Sequence, residues 1–305
     1  MALARPRTLE EAIDLLDREL EARPLGGGTA IQILRRQGLL NPSLLVDLAA
    51  IPELQGVHQE NGALRIGAIV THREVELSAD VRNLAPLLAE TYKHVGNVRV
   101  RHTATVGGNL AHGDYRLDPP AALLALHASV RIAGKNGVRD LPMDAFFVDL
   151  LETALGHAEL LVDVRVPLSA ARRSTAFEKF SSLAANDWPC VGVAAVLDWA
   201  ADDELQAARL GVTAMAPTPL LFELPGAASE DDLAQVAVDA VLAQVDPIPD
   251  VRGSAAYKRR ACAAVVRDAI ARAWRAEREP AGREGEPAGP EREPAGREGE
   301  PARDT

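Results

Sequence analysis

The chain has 305 residues, 47% of them hydrophobic, and a net charge of -11 from 44 acidic and 33 basic side chains. That length calls for two folded units, and the acidic balance excludes a nucleic-acid binder, whose partner demands basic patches. Cys190 and Cys262 are too few and too far apart for a disulfide scaffold or a self-contained iron–sulfur site. A reducing, cytoplasmic setting is expected, with no signal peptide and no apolar run long enough to span a membrane.

In chain order, Thr8 and Glu11 form a capping box, and Ala12, Ile13, Leu16 and Leu20 recur at helical spacing, predicting a helix through about Glu21. Arg23 to Leu25 reads as a strand that enters Pro24-Leu-Gly-Gly-Gly-Thr29. Thr29 to Gln37 reads as the helix that leaves it, and Leu44 to Leu48 as a buried strand. The first glycine loop therefore sits at the strand-to-helix turn of a βαβ-like unit, where ligands collect. Beyond Pro52, strands at Gly56 to His58 and Leu64 to Ile69 are joined through Asn61-Gly62, a type I′ turn signal. Thr71 caps a helix with Glu74 three positions on, and Val81 to His94 is a second helix. A loop of mixed Gly, Asn, Arg and Val residues leads to Thr105-Val-Gly-Gly-Asn-Leu-Ala-His112, where adjacent glycines again precede a helix. Asp118 is the expected N-cap of a helix continuing through Pro119, Pro120 and Ala121 to His127. Val130 to Ala133 and the strand after Asn136-Gly137 form a hairpin, and Leu160 to Val166 is the closing strand.

Ala170 to Arg173 reads as a linker. Thr175 to Phe180, Val191 to Trp199 and Ala208 to Ala214 then alternate as an antiparallel sheet, followed by helices at about Glu230 to Gln244 and Ser254 to Arg275. This is a smaller α+β domain. Glu277 to Ala288 is repeated unchanged from Glu291 to Ala302, with nothing apolar enough to bury, and is expected to be disordered.

Glycine pairs let backbone N–H groups turn toward a ligand, and phosphate is the ligand they suit. Neither loop matches a common nucleotide signature: Ile31 stands where a G-x-G-x-x-G fingerprint needs its last glycine, and no Walker lysine follows. Together, the two loops are expected to grip the diphosphate of a dinucleotide from both sides, each with oriented amides and a helix N-terminus. Valine at Gly107 and Gly108 is expected to expel the nucleotide by clash with that diphosphate and to leave secondary structure intact.

Several motifs now occur in a recognisable order. These are Pro24-Leu-Gly-Gly-Gly-Thr29, Arg65-Ile-Gly-Ala-Ile-Val-Thr71, Thr105 to His112, Glu152-Thr-Ala-Leu155 with Glu159-Leu-Leu161, and Lys179-Phe-Ser181. Asp187-Trp-Pro-Cys-Val-Gly-Val193, Ala216-Pro-Thr-Pro219 and Asp250 to Lys258 follow. From about residue 5 to 275 the chain resembles the FAD-binding medium subunit of molybdenum hydroxylases, the group that includes aerobic carbon monoxide dehydrogenase and xanthine dehydrogenase. The resemblance implies an α+β protein: a two-subdomain FAD-binding fold (PCMH/vanillyl-alcohol-oxidase-like) over residues 1–168, divided at about 52, and a C-terminal domain of the carbon monoxide dehydrogenase flavoprotein type over 174–276, before the tail of 277–305. It implies cofactor contacts from Leu25, Gly26, Gly27, Gly28, Thr29, Ala30, Ile31 and Gln32, and from Thr105, Val106, Gly107, Gly108 and Asn109. Asp118, Leu161 and Lys179 match further contact positions. Two departures are Gly26, where relatives usually carry alanine, and Val95, where some stack an aromatic near the flavin.

The resemblance further implies partners: a [2Fe–2S] small subunit, a large subunit with the molybdenum cofactor, and an external electron acceptor (NAD⁺, a quinone or dioxygen), in a hetero-hexamer with two copies of each chain. No catalytic residue and no metal ligand is assigned to this chain. His112 and Asp114 are expected to shape their loop by hydrogen bonding. His72, His94 and His102 lack metal-ligand spacing, and Arg99 and Arg101 are read as residues of a solvated loop. The alternatives are a stand-alone FAD oxidase and a flavin-free assembly subunit.

Overall fold

The computed structural model describes residues 1–278; from residue 279 the repeated tail lies outside the described residues. The chain opens with β1 (Ala2–Ala4), α1 (Leu9–Arg18), β2 (Arg23–Leu25), α2 (Thr29–Arg36) and β3 (Leu44–Asp47). The three strands form a parallel sheet in the order β1-β3-β2. The βαβ unit is as expected, and β1 is an addition: three residues at a terminus carry no readable alternation. Thr8 caps α1 by accepting the Glu11 N–H at 3.2 Å, while the Glu11 carboxylate accepts from Arg7, 2.9 Å away, and not from Thr8. The helix stops at Arg18, earlier than its apolar spacing suggested, so Leu20 is left outside it and 73% exposed.

The second unit holds β4 (Val57–Glu60), β5 (Ala63–Gly67), α3 (His72–Leu77), α4 (Ala79–Leu84), α5 (Pro86–Lys93), α6 (Val98–Arg101), α7 (Val106–His112), α8 (Pro119–Ala125), β6 (Ser129–Gly134), β7 (Gly137–Pro142), the short hairpin β8 (Phe147–Asp149) and β9 (Glu152–Thr153), and β10 (Leu160–Pro167). Its antiparallel sheet runs β4-β5-β10-β6-β7, so the last strand is the central one. Asn61 and Gly62 both take positive φ, as a type I′ turn requires. The single helix expected over Val81 to His94 is two, α4 and α5. Pro86 drives Ala85 out of helical geometry (φ −145, ψ 61) and starts the next helix itself. The expected loop after residue 95 contains α6, one turn capped by the Asn97 side chain.

Thr71 and Glu74 form the full capping box of α3, and this places His72 at the first helical position, fully buried edge-on to Tyr92 at 5.0 Å. Neither ring nitrogen of His72 has a hydrogen-bond partner, and burial holds its imidazole down at about 4 from an ordinary 6.5. Between those values the unfolded chain binds a proton that the folded chain refuses. His72 therefore costs no stability above pH 6.5 and progressively more as pH falls toward 4, by about 3 kcal/mol. His72→Phe should flatten this acid limb. Urea titrations at pH 7 and pH 4.5 check it: the loss of unfolding free energy between the two should be smaller in the variant.

The third unit is β11 (Arg172–Phe180), β12 (Val191–Trp199), β13 (Leu205–Thr213) and β14 (Leu220–Pro225), antiparallel in that order, with α9 (Glu230–Gln244) and α10 (Ala255–Arg278). β14 was not foreseen, and β11 already begins at Arg172, inside the expected linker. Along β12 the side chains alternate between two cores. Val191, Val193, Ala195 and Leu197 join the C-terminal cluster beneath α9 and α10, whereas Ala194 and Val196 join the cluster of the first two units. The second face of the sheet meets α8, all seven residues of which are buried. Among the described residues no helix is long and apolar enough to cross a membrane.

Candidate functional site

A cleft of about 600 Å³ lies between the βαβ unit and the second unit, lined by the first glycine loop, the start of α7 and the segment leading into β10. The two glycine motifs touch each other. A Cβ on Gly26 would stand 2.6 Å from Thr105 Oγ1, and one on Gly27 would stand 1.7 Å from the carbonyl oxygen of Thr103. Glycine in the first loop thus serves contact with the second. Gly28 is left-handed (φ 69) at the N-cap of α2 and offers no side chain to that helix.

The amides of the two motifs differ. Among the described residues, no protein acceptor takes the N–H of Gly26, Gly27, Gly28, Thr29, Ala30 or Ile31. Six consecutive donors at a helix N-terminus form an anion site from which protein acceptors are missing. In the second motif, Gly107 and Gly108 lie inside the first turn of α7, not in a loop ahead of it. Val106 donates to Val70 (2.9 Å), Gly107 to Ala68 (2.8 Å) and Gly108 to Thr105 Oγ1 (3.2 Å). The two motifs are therefore unequal as amide donors: the first-turn amides of α7 already have protein acceptors, whereas those of the first loop have none among the described residues. The valine expectation changes as well. A Cβ on Gly107 would meet the Ala68 Cβ at 2.6 Å and its carbonyl oxygen at 2.9 Å, so valine there damages the fold before it reaches any ligand.

Asn109 lines the cleft, and its Oδ1 is buried without a partner. An unpaired buried acceptor costs about 1–3 kcal/mol, and a ligand hydroxyl would relieve it. Beyond the loops the lining is largely apolar, with Leu16, Leu20, Leu34, Leu40 and Leu48. Free amides for a diphosphate, a polar group for a polyol and an apolar wall for a ring fit FAD.

Of the expected contact residues, Gly26 to Ile31, Thr105, Gly107, Gly108, Asn109 and Leu161 line this cleft, whereas Leu25, Gln32 and Val106 do not. Val106, the first residue of α7, is fully buried. Asp118 and Lys179 also stand outside the lining, where α8 meets β11. They form an ion pair at 2.8 Å, 5% and 4% exposed, and Lys179 donates as well to the carbonyl of His94 at 3.0 Å. Lys179 is therefore a buried lysine with both its partners in the protein. Asp118 does not cap α8 with its side chain; Lys179 has drawn the carboxylate away. Burial pushes that carboxyl up to about 6 although the Lys179 ammonium pulls it down, and its Oδ1 is unpaired. Asp114 shapes its loop as expected, gripped by Arg116 at 2.9 and 2.7 Å, and His112 lines the cleft beside it. Arg101 is not a loop residue in solvent: it is 12% exposed and paired with Glu76 at 2.9 Å.

The expected contact residues left out the wall formed by Thr153 and Leu155 to Leu160, although Glu152 to Leu155 and Glu159 to Leu161 stand among the ordered motifs. They also left out the stack in which the guanidinium groups of Arg116 and Arg252 lie 5.0 and 5.4 Å from the Trp188 ring, because these residues meet only through the fold.

Free amides at an α-helix N-terminus, opening on an apolar cleft between the first two units, suit a ligand that joins an anionic group to an apolar ring, as a dinucleotide does. Comparison with known proteins makes this specific. The family model described as FAD binding domain in molybdopterin dehydrogenase matches residues 1–169, and that of the CO dehydrogenase flavoprotein C-terminal domain matches 175–273. The carbon monoxide dehydrogenase medium chain of Hydrogenophaga pseudoflava is 34% identical over 275 residues, covering 88% of this chain and 95% of that one. A xanthine dehydrogenase FAD-binding subunit of Escherichia coli O157:H7 is 32% identical over 221 residues, covering 71% and 74%. Among solved structures, carbon monoxide dehydrogenase from Hydrogenophaga pseudoflava lacking the Mo-pyranopterin moiety superposes with a TM-score of 0.86 at 33% identity, over 90% of this chain and 97% of that one. The chain belongs to the FAD-binding family of molybdopterin dehydrogenases, as its motifs indicated. Its cofactor is FAD, and it is an oxidoreductase component.

Proposed function

We propose that this chain is the electron-transferring subunit of a cytoplasmic molybdenum hydroxylase, receiving electrons from a [2Fe–2S] subunit and passing them to NAD⁺, a quinone or dioxygen. A large subunit carries the molybdenum cofactor, with two copies of each chain in the assembly. Bound FAD supplies the redox chemistry, taking electrons singly and releasing two. The chain's own residues do the holding. The amides from Gly26 to Ile31 bind the diphosphate, Asn109 satisfies a hydroxyl, and the leucines of the cleft exclude water. Asp118 and Lys179 fix the start of α8 to the C-terminal sheet through their buried ion pair.

The observation that carries this reading is the row of six unpartnered amides. The purified chain should be yellow and release FAD on denaturation, and a tag on it should bring down an iron–sulfur and a molybdenum subunit. A colourless chain that refuses added FAD would leave the flavin-free assembly role. A yellow chain that oxidises substrate alone would make it a stand-alone oxidase.

A further inference from the structure

The segment from Ala154 to Glu159, between β9 and β10, belongs to no strand or helix, yet Leu155 to Glu159 line the cleft. Its own backbone does little to fix it: Ala154 donates to the carbonyl of Phe146 at 2.8 Å and Glu159 to that of Gly156 at 3.2 Å. Within it Ala158 is buried and left-handed (φ 55), a conformation that a residue other than glycine keeps only when its surroundings impose it. Two side chains do so. The Glu159 carboxylate accepts the Gly156 N–H at 2.8 Å, closing the segment on itself, and accepts Nε and Nη2 of Arg139 at 3.1 and 2.7 Å. Arg139 Nη2 donates as well to the Ala154 carbonyl at 2.7 Å, so one guanidinium grips both ends of the segment. The sheet explains how it reaches them. Across β10, β6 and β7, Leu161 pairs with Ile132 and Ile132 with Arg139, so these side chains share a face, and Glu159, two residues before Leu161, shares it too. Glycine at 134 opens the path between them, since a Cβ there would stand 2.9 Å from Glu159 Cγ.

We infer that Arg139 and Glu159 are positioning residues for the flavin: Arg139, itself outside the cleft lining, holds the cofactor wall in shape through Glu159. The inference rests on the reading of this cleft as the FAD site. With the clasp closed, the ligand meets a wall already in place, and the entropy of ordering that segment is not lost on binding. Arginine suits the task because its planar fork satisfies the carboxylate and a carbonyl together, which a single ammonium cannot do in the same geometry. The two side chains are 42% and 24% exposed, and a pair so open to solvent adds little to global stability. Its effect on the cofactor is therefore separable from its effect on the fold.

The test uses the full chain as it is isolated, with its FAD and any accompanying subunits, and compares the wild type with Arg139→Met, Glu159→Gln, the double variant and Arg139→Lys. The rate of FAD release is followed by flavin fluorescence after dilution. Arg139→Met and Glu159→Gln should each release FAD about tenfold faster, the equivalent of ordering a single backbone residue on binding. The double variant should release it no faster than either single one, because both changes open the same clasp. Arg139→Lys, which keeps the charge without the fork, should fall between wild type and Arg139→Met. In the flavin-free protein, hydrogen exchange should quicken at residues 155–160 and nowhere else, and the melting temperature should stay within about 2 °C of the wild type. Wild-type release rates in Arg139→Met and Glu159→Gln, beside flavin loss in Ala30→Asp at the head of α2, would overturn the clasp and leave the cleft as the FAD site. A drop in melting temperature that matches the flavin loss would also overturn it, by making the pair a general support of the fold. Wild-type release in all these variants, Ala30→Asp included, would remove the site itself.

Discussion

Ala30→Asp should give a chain that folds and does not hold flavin. Ala30 is the second residue of α2, and its N–H is one of six with no protein acceptor. A carboxylate in the first turn of a helix is favourable, by about 0.3–1 kcal/mol, because it meets the positive end of the helix dipole. The same carboxylate stands where the diphosphate must bind. Two like charges about 4 Å apart, partly shielded, repel by about 4 kcal/mol, so FAD affinity should fall by at least about a hundredfold. The two effects have opposite sign, which separates a binding defect from a folding defect. Circular dichroism and thermal melting of the flavin-free variant should match or exceed the wild type, while fluorescence titration with FAD should show the loss. Undiminished flavin binding would mean that the diphosphate lies elsewhere.

Gly211→Val should unfold both halves of the molecule together. Gly211 lies on β13, an interior strand of the C-terminal sheet, and a Cβ there would fall 1.8 Å from the carbonyl oxygen of Ala121 and 2.9 Å from its Cα. These are backbone atoms of α8, so no rotamer change relieves the collision. Sheet and helix must separate, with an expected loss of about 3 kcal/mol or more. Because α8 belongs to the flavin-binding half and Ala194 and Val196 of β12 belong to its core, the two halves cannot unfold independently. Tryptophan fluorescence, which senses Trp199 and Trp274 packed at 4.9 Å in the C-terminal core, and release of flavin should follow one transition, at lower denaturant in the variant. Flavin retained after the tryptophan signal is lost would show that the halves are separable.

What could be read from the residues was the local chemistry. The Thr71–Glu74 box, the Asn61-Gly62 turn and the strand-loop-helix around Gly26 to Gly28 depend on neighbours in the chain, and all three appear in the fold. The motif order also carried the family. The break at Ala85 was missed although Pro86 signals it, since a residue before proline resists helical geometry. Other features depend on groups that arrive from far along the chain. The α7 amides are taken by the carbonyls of Ala68 and Val70, and Asp118 is drawn from its cap by Lys179, 61 residues away. A glycine pair in sequence does not say whether its N–H groups are free. The equivalence of the two loops was wrong for that reason, although their proximity was right.

The most direct measurement is a crystal structure of the chain with FAD bound. The diphosphate oxygens should accept hydrogen bonds from N–H groups between Gly26 and Ile31, at the head of α2, with the Val106 and Gly107 amides still bound to Val70 and Ala68. A diphosphate seated away from α2, with those six amides facing only solvent, would contradict the account.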